Sequence, residues 1–366
     1  MSLRWDLYKD GVTFSLLSKF LVCRHRFWLR TVQGFRDDKG FDYKIEFGNL
    51  MHVGYEFVDQ GLDVVNAKMA EYGEKLGRLY PADYTNETKA IRWWVRVAQM
   101  MFPIYHDFHK DKQRSYVFQE RVFRVPTKLP SGRTIDLRGK WDGGRILTHA
   151  RKDYLWLQEN KNKGTVDAEG LTNSLMNDLQ TQIYANTFTR WLKTSKEPWA
   201  KKPFSGVLYN VVKRPIGDWH AIRQKVNETP EEFADRIFDG DHASAVRKYP
   251  DKSFFRWNIG LDDGDIRRFE RMTLFPILED LCDWWDSIKA NPADPWYTLI
   301  QRNPETEAPG LCLPERVPNM KHCLRPHGVY DAMYDGLRGD FDGFLTRGSM
   351  AGIAVTDNMF PELTDV

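Results

Sequence analysis

LQENKNKG, residues 157–164, sets a carboxylate and a lysine two apart, Glu159 and Lys161, at the end of an apolar run, YLWL (154–157). In an extended chain, side chains two apart share one face. The pair is either a solvated ion pair at a strand end or the centre of a site. The same spacing recurs at Asp37/Lys39 and Glu87/Lys89, where no strand precedes it, so the pattern alone decides nothing. Its surroundings decide.

Upstream, RSYVFQERVFRVP (114–126) is rich in aromatic and β-branched residues and reads as a strand. TIDLRGKWDGGRILTHA (134–150) reads as two strands joined by a tight turn at Gly143-Gly144, and DYLWLQENK (153–161) as another strand. Downstream, LTNSLMNDLQTQIYANTFTRWLK (171–193) has helical spacing, and SGVLYNVV (205–212) is one more strand. Strand, hairpin, strand, long helix, strand predicts a mixed sheet with a crossover helix on it.

Residues 1–110 are mostly helical, with helices expected from Thr13, a capping residue, to about Val32, over 47–60, and near 64–78 and 86–107. Residues 111–215 hold the sheet. Residues 216–366 carry one strong helical pattern near 262–289, kinked or broken at Pro276, and a Pro/Gly-rich tail. No clear linker separates these regions, which favours one unit.

With 366 residues, 42% of them hydrophobic, the chain can bury a sizeable core. The net charge of +2 argues neither for nor against a nucleic-acid partner, so only local clusters can. Four cysteines build no disulfide framework. The N-terminal MSLRWDLYKD has no apolar signal core. No window approaches about 18 uninterrupted apolar residues, so no membrane partner is expected. The expectation is a soluble protein of a reducing compartment, the cytoplasm.

Three residues give Glu159 and Lys161 company. Asp142, in GKWDGG, can converge with Glu159 at one sheet end if their strands are neighbours, although WDGG alone is most simply a turn. Two carboxylates brought together repel unless a cation lies between them, and oxygen ligands suit Mg²⁺ or Mn²⁺. Lys161 could hold an attacking water or stabilise charge on a phosphate. His52, in GNLMHVGYE, is either a structural helix residue or a third ligand; Gly48 one turn earlier permits close packing against the sheet.

These stretches, SLLSKFLVCRHRFWL, FGNLMH, GKWDG, LQENK and DLQTQIY, run in order over residues 14–184, about half the chain. In that order they resemble the RecB-type branch of the PD-(D/E)xK nuclease superfamily, which includes CRISPR-associated and many bacteriophage exonucleases. The resemblance implies an α/β (α+β) fold with a restriction-endonuclease-like mixed β-sheet core flanked by helices. It implies a metal-dependent DNA nuclease, an exonuclease above all, in recombination, repair or phage DNA processing, located in the host cytoplasm if phage-encoded. By the same resemblance His52, Asp142, Glu159 and the backbone carbonyl of Asn160 would bind Mg²⁺ or Mn²⁺, and Lys161 would activate water. Gln180 and Tyr184 would support the site or touch the DNA backbone. Glu120, where the family often has a carboxylate, would stand behind the ligands.

Many such relatives hold an iron–sulfur cluster through one cysteine of the first helix and three near the C-terminus. Cys23 has the first position, and Cys312 and Cys323 lie in the tail, but the final cysteine is missing and only residues such as His327 could stand in. A cluster or a zinc site is therefore not favoured, and Cys282, on an apolar helix, is read as core.

The partners expected are DNA, single-stranded or with free ends, and a recombination or replication protein. Candidate phosphate contacts are Arg24, His25, Arg26 and Arg30 with Phe27 and Trp28, then Arg190, Lys193, Lys196, Lys201 and Lys202 with Trp191 and Trp199, and lastly Lys213-Arg214. Each is equally an ordinary solvated face. No motif reads bases. Lys163 and Asp167 are left as solvated loop residues. The reading from a different class is a non-catalytic DNA- or partner-binding module that keeps the nuclease fold.

Overall fold

The computed structural model describes residues 3–22, 24–37, 41–82, 91–109, 116–214, 227, 229, 232, 246–290, 353–356 and 358–363. They gather into two units. The first takes Met1–Lys39, Phe123–Gly139 and Arg267–Thr364, the second Gly40–Val122, Lys140–Ile266 and Asp365–Val366, as far as these are described. The units interleave along the chain, a division by contact rather than by the consecutive textures of the sequence.

In the first unit, α1 (Leu7–Asp10) is capped by Asp6, which accepts from the N–H groups of Tyr8 and Lys9. The short strand β1 (Val12–Thr13) follows. Thr13 Oγ1 then accepts from Leu16 N at 3.3 Å and starts α2 (Phe14–Val22), as a capping residue should. The expected helix to Val32 continues as α3 (Arg24–Phe27) and a π-helical turn, Trp28–Val32. β2 (Phe35–Asp37) pairs antiparallel with β8 (Ile353–Val355).

Two more helical segments of this unit are α9 (Asp263–Phe269), which begins in the other unit, and α10 (Phe275–Ala290). Between them the π-helical turn Glu270–Leu274 precedes Pro276. Proline lacks an N–H and crowds the carbonyl four residues back, and the wider turn accommodates both. Trp5, Phe27 and Trp285 pack edge to face here, with ring centroids 5.0–5.3 Å apart. Cys282, on α10, is buried as a free thiol, as its apolar helix predicts.

The second unit begins with α4 (Tyr43–Phe57), four residues earlier than the sequence predicts because Asp42 caps it through Lys44 N. α5 (Leu62–Leu79) and α6 (Ile91–His109) complete a helical layer. Phe47, Leu50, Met51, Trp94, Met101 and Phe102 are 0–1% exposed at its centre. A Cβ on Gly54 would lie 2.4 Å from the Phe102 ring, so only glycine lets α4 come this close to α6.

Among the described residues six strands form one mixed sheet. β3 (Tyr116–Lys128), β4 (Thr134–His149), β5 (Lys152–Lys163), β6 (Phe204–Lys213) and β7 (Phe254–Gly260) join β1 in it. The order is β1-β4-β5-β6-β7, with β3 also on β4. β4 and β5 form a hairpin, β5 and β6 run parallel, and β7 returns antiparallel. Between β5 and β6 the chain makes α7 (Ala168–Ser174), a 3₁₀ turn, and α8 (Leu179–Thr194). This is the mixed sheet flanked by helices that the sequence predicts.

Two local expectations are corrected. Gly143-Gly144 does not turn the chain; β4 runs straight through both glycines. A Cβ on Gly144 would lie 2.2 Å from the Phe118 ring, and one on Gly143 3.2 Å from Tyr116, so the glycines make room for β3. The turn lies instead at Ala150 and Arg151, both at positive φ (48° and 64°), between the paired His149 and Lys152. The helix expected over 171–193 is also interrupted: Asp178 is extended and caps α8 through Thr181 N.

Candidate active site

All the site residues lie in the second unit. On β4, residues 134–141 alternate between buried and partly exposed, then 141–145 are buried throughout, because both faces of the sheet are covered there. Asp142 lies in that buried run, one step from Gly143, which pairs with Gln158. It is 7% exposed, and Glu159 on the neighbouring strand is 1% exposed. The backbone N–H of Asn160 donates to Asp142 Oδ2 at 2.6 Å.

Burial raises Asp142 above the usual carboxylate range, and the charge of Glu120 adds to this against the pull of His52 and Lys161. Burial pushes Glu159 up to about 8, with Lys161 acting against the rise and Asp142 adding to it. Lys161 Nζ donates to Glu159 Oε1 at 2.5 Å and to Gln180 Oε1 at 2.8 Å. Burial alone would lower the lysine; the charge of Glu159 outweighs it and raises the ammonium above its ordinary value. Glu159 Oε2 is buried with no hydrogen-bond partner.

His52 reaches the site from α4. Its Nδ1 is 2.9 Å from Glu120 Oε1 and 3.9 Å from Asp142 Oδ1. Burial disfavours the imidazolium, but Glu120 and Asp142 outweigh it and push His52 up to about 9. Glu120 stands at φ 45°, a left-handed conformation unusual for a glutamate, and also pairs with Lys140 at 2.9 Å. Burial opposes its ionisation, yet His52 and Lys140 together hold it below its usual value. His52, Glu120 and Asp142 offer ligand atoms within 4.8 Å of one another.

A model of the PD-(D/E)XK nuclease superfamily matches residues 12–254. The chain belongs to this superfamily. No curated protein matches it.

Nucleases of the PD-(D/E)XK superfamily use divalent metals, and the residues here fit one. The donors are carboxylate oxygens and an imidazole, which suit a hard or borderline cation. Two buried carboxyl groups stand side by side, and Glu159 Oε2 lacks the partner that a buried polar oxygen requires. Asp142, Glu159 and Lys161 follow the order of the acidic, acidic and lysine positions in the superfamily's name.

The other sequence candidates fall as follows. Gln180, in the first turn of α8, holds Lys161, while Tyr184 one turn later is buried at 9% exposure. Glu120 touches the candidate ligand His52 through Nδ1 and lies close enough to Asp142 to offer a ligand atom of its own. Lys163 ends β5 instead of lying in a loop, and Asp167 caps α7. Cys23, Cys312, Cys323 and His327 lie outside the described residues. Arg24 is engaged with Asp280 at 2.5 Å. Trp191 and Trp199 stack on each other at 5.6 Å, with Arg121 over Trp191, so these faces already serve the fold. Among the described residues no helix is long and apolar enough to cross a membrane.

Sequence reasoning missed the supports. Lys140 sits inside the quoted GKWDGG yet was not marked as the partner of Glu120. On the other face of β5, Asn160 Oδ1 accepts from Gln158 and Asn210, each at 3.0 Å, and Arg256 Nε donates to Asn210 Oδ1 at 2.6 Å. This buried chain of amides fixes the residue between Glu159 and Lys161. The polar run QEN within a strand whose two faces are buried is the signal that could have found it.

Proposed function

We propose that this chain is a Mg²⁺- or Mn²⁺-dependent DNA exonuclease of the RecB type, acting in recombination, repair or phage DNA processing. The observation that carries the reading is Glu159 Oε2, buried and unpaired, beside Asp142 and a lysine fixed from two sides. His52, Asp142 and Glu159, with the carbonyl of Asn160, would hold the metal, and Glu120 is close enough to join them or to orient His52. When bound, the ion supplies charge neutralisation at the phosphate and the leaving oxygen.

The chain's own residues do the rest. Lys161 presents its ammonium where a water would approach the phosphorus, and Glu159 and Gln180 keep it from swinging away. The water oxygen bonds to phosphorus and gives one proton up to solvent, while the bond to the ester oxygen breaks and that oxygen takes a proton from solvent. The amides around Asn160 hold the strand rigid beneath. A module that only bound DNA would have no need of this restrained lysine.

End-labelled single- and double-stranded DNA, incubated with Mg²⁺ or Mn²⁺, tests the reading. The expected result is stepwise shortening from an end that Asp142→Ala and Lys161→Ala abolish. Absence of cleavage of either substrate with either metal overturns it in favour of a binding module.

A further inference from the structure

Lys163 and Lys213 are register partners at the carboxyl ends of the parallel strands β5 and β6. Pairing is regular from Trp156 to Lys163, so Lys163 shares the face of Glu159 and Lys161. Like charges directly opposite each other destabilise a sheet. Among the described residues no carboxylate pairs with either ammonium, and both side chains are half-buried.

A third cation closes the group. Arg214, the next residue, has its Nε buried without a hydrogen-bond partner, and one terminal nitrogen lies 3.4 Å from the Lys44 carbonyl. Asp42, the carboxylate that faces it, is engaged in capping α4. The other terminal nitrogen lies 2.9 Å from where a Cβ on Gly164 would stand, so the glycine lets the guanidinium lie across the strand end. Three cations meet at one sheet end; among the described residues only the charge of Asp42 answers Arg214 and no carboxylate pairs with the two lysines, which leaves room for an anion from outside.

We propose that Lys163 and Lys213, flanked by Arg214, seat the DNA phosphate next to the one that is cut; this rests on the DNA-nuclease reading above. Two residues of strand carry Lys163 about 6.6 Å outward from Lys161, on the scale of one nucleotide step. The ligand is a phosphodiester monoanion, recognised by charge and without base readout. It fixes which linkage lies over Lys161, as an enzyme that moves along a strand requires.

The test compares wild type with Lys163→Gln/Lys213→Gln on a single-stranded oligonucleotide over a range of salt. The expected result is a KM raised about tenfold or more and a salt dependence of binding shallower by about one to two phosphate contacts. A neutral methylphosphonate at the adjacent linkage should weaken wild type similarly and the variant no further. Without DNA the variant should melt no lower than wild type, because a like-charge pair has been removed. Fluorescence anisotropy with Ca²⁺ in place of Mg²⁺ reads binding apart from cleavage. A wild type that cuts, with a variant matching its KM and salt dependence, overturns the phosphate seat alone. A wild type that binds but never cuts, with binding still weakened in the variant, overturns the nuclease reading and leaves the seat. A wild type that neither binds nor cuts overturns both.

Discussion

Asn160 donates its backbone N–H to Oδ2 of Asp142 at 2.6 Å, so the residue between Glu159 and Lys161 holds the carboxylate of the next strand. The acidic residue on β4 and the acid–lysine pair on β5 are thus one rigid object.

Replacing Asp142 by Asn keeps its shape and one acceptor but removes the charge. Cleavage should fall by roughly 10²–10³-fold or more. Lys161→Ala should fall at least as far, because the group proposed to meet the water is gone. Single-turnover cleavage of labelled DNA measures both, and near-wild-type rates in either would contradict the assignment.

Glu120→Gln should loosen His52 and free Lys140, since Glu120 contacts both at 2.9 Å. Removing a residue that orients a ligand typically weakens metal affinity roughly 10–100-fold. Calorimetric titration with Mn²⁺ reads this directly. An unchanged affinity would mean that His52 needs no orienting partner.

The metal-free protein should lose stability as pH rises. Glu159 is raised to about 8 from an ordinary value of 4.5, and His52 to about 9 from 6.5. Between these limits the folded chain binds more protons than the unfolded one, so the stability these groups contribute is complete below their ordinary values and is lost as pH climbs through the raised ones. Metal binding displaces those protons and should stabilise most at high pH. Melting curves in EDTA and in Mg²⁺ across pH 5–9 should diverge upward, and Glu159→Gln should flatten the EDTA curve below about pH 8.

Gly144→Ala tests the course of β4. Its Cβ would press into the Phe118 ring, and overpacking of this kind costs about 1–3 kcal/mol. Urea denaturation should show a loss in that range. A neutral effect would mean that the Phe118 ring gives way, and would contradict the close approach of β3 at this position.

How much of this was legible in the sequence depends on the range of each cause. The strand of Glu159 shows in its apolar run, and α2 shows in Thr13 and the spacing behind it, because local chemistry decides both. Gly143-Gly144 was misread because adjacent glycines favour a turn locally, whereas the ring that forbids a side chain belongs to Phe118, on another strand. Glu120 is legible only through the family resemblance, because its left-handed backbone departs from the alternation by which a strand residue takes a face. FFRWNIG does not by itself mark β7, because its partner β6 lies about forty residues away in the chain. The amides from Gln158 to Arg256 meet only once three strands are in register.

The interleaving of the two units has a bearing on how such a chain can be cut or recombined. The chain changes unit at residues 39/40, 122/123, 139/140, 266/267 and 364/365, once within β3 and once within β4. Trp285, which packs on Trp5, comes from a segment far beyond the last catalytic candidate. No single break would release either unit whole. Gene fusions, truncations and protease nicks should therefore either spare both units or compromise both, and the nuclease centre would be inherited with its distant aromatic cluster as one indivisible piece.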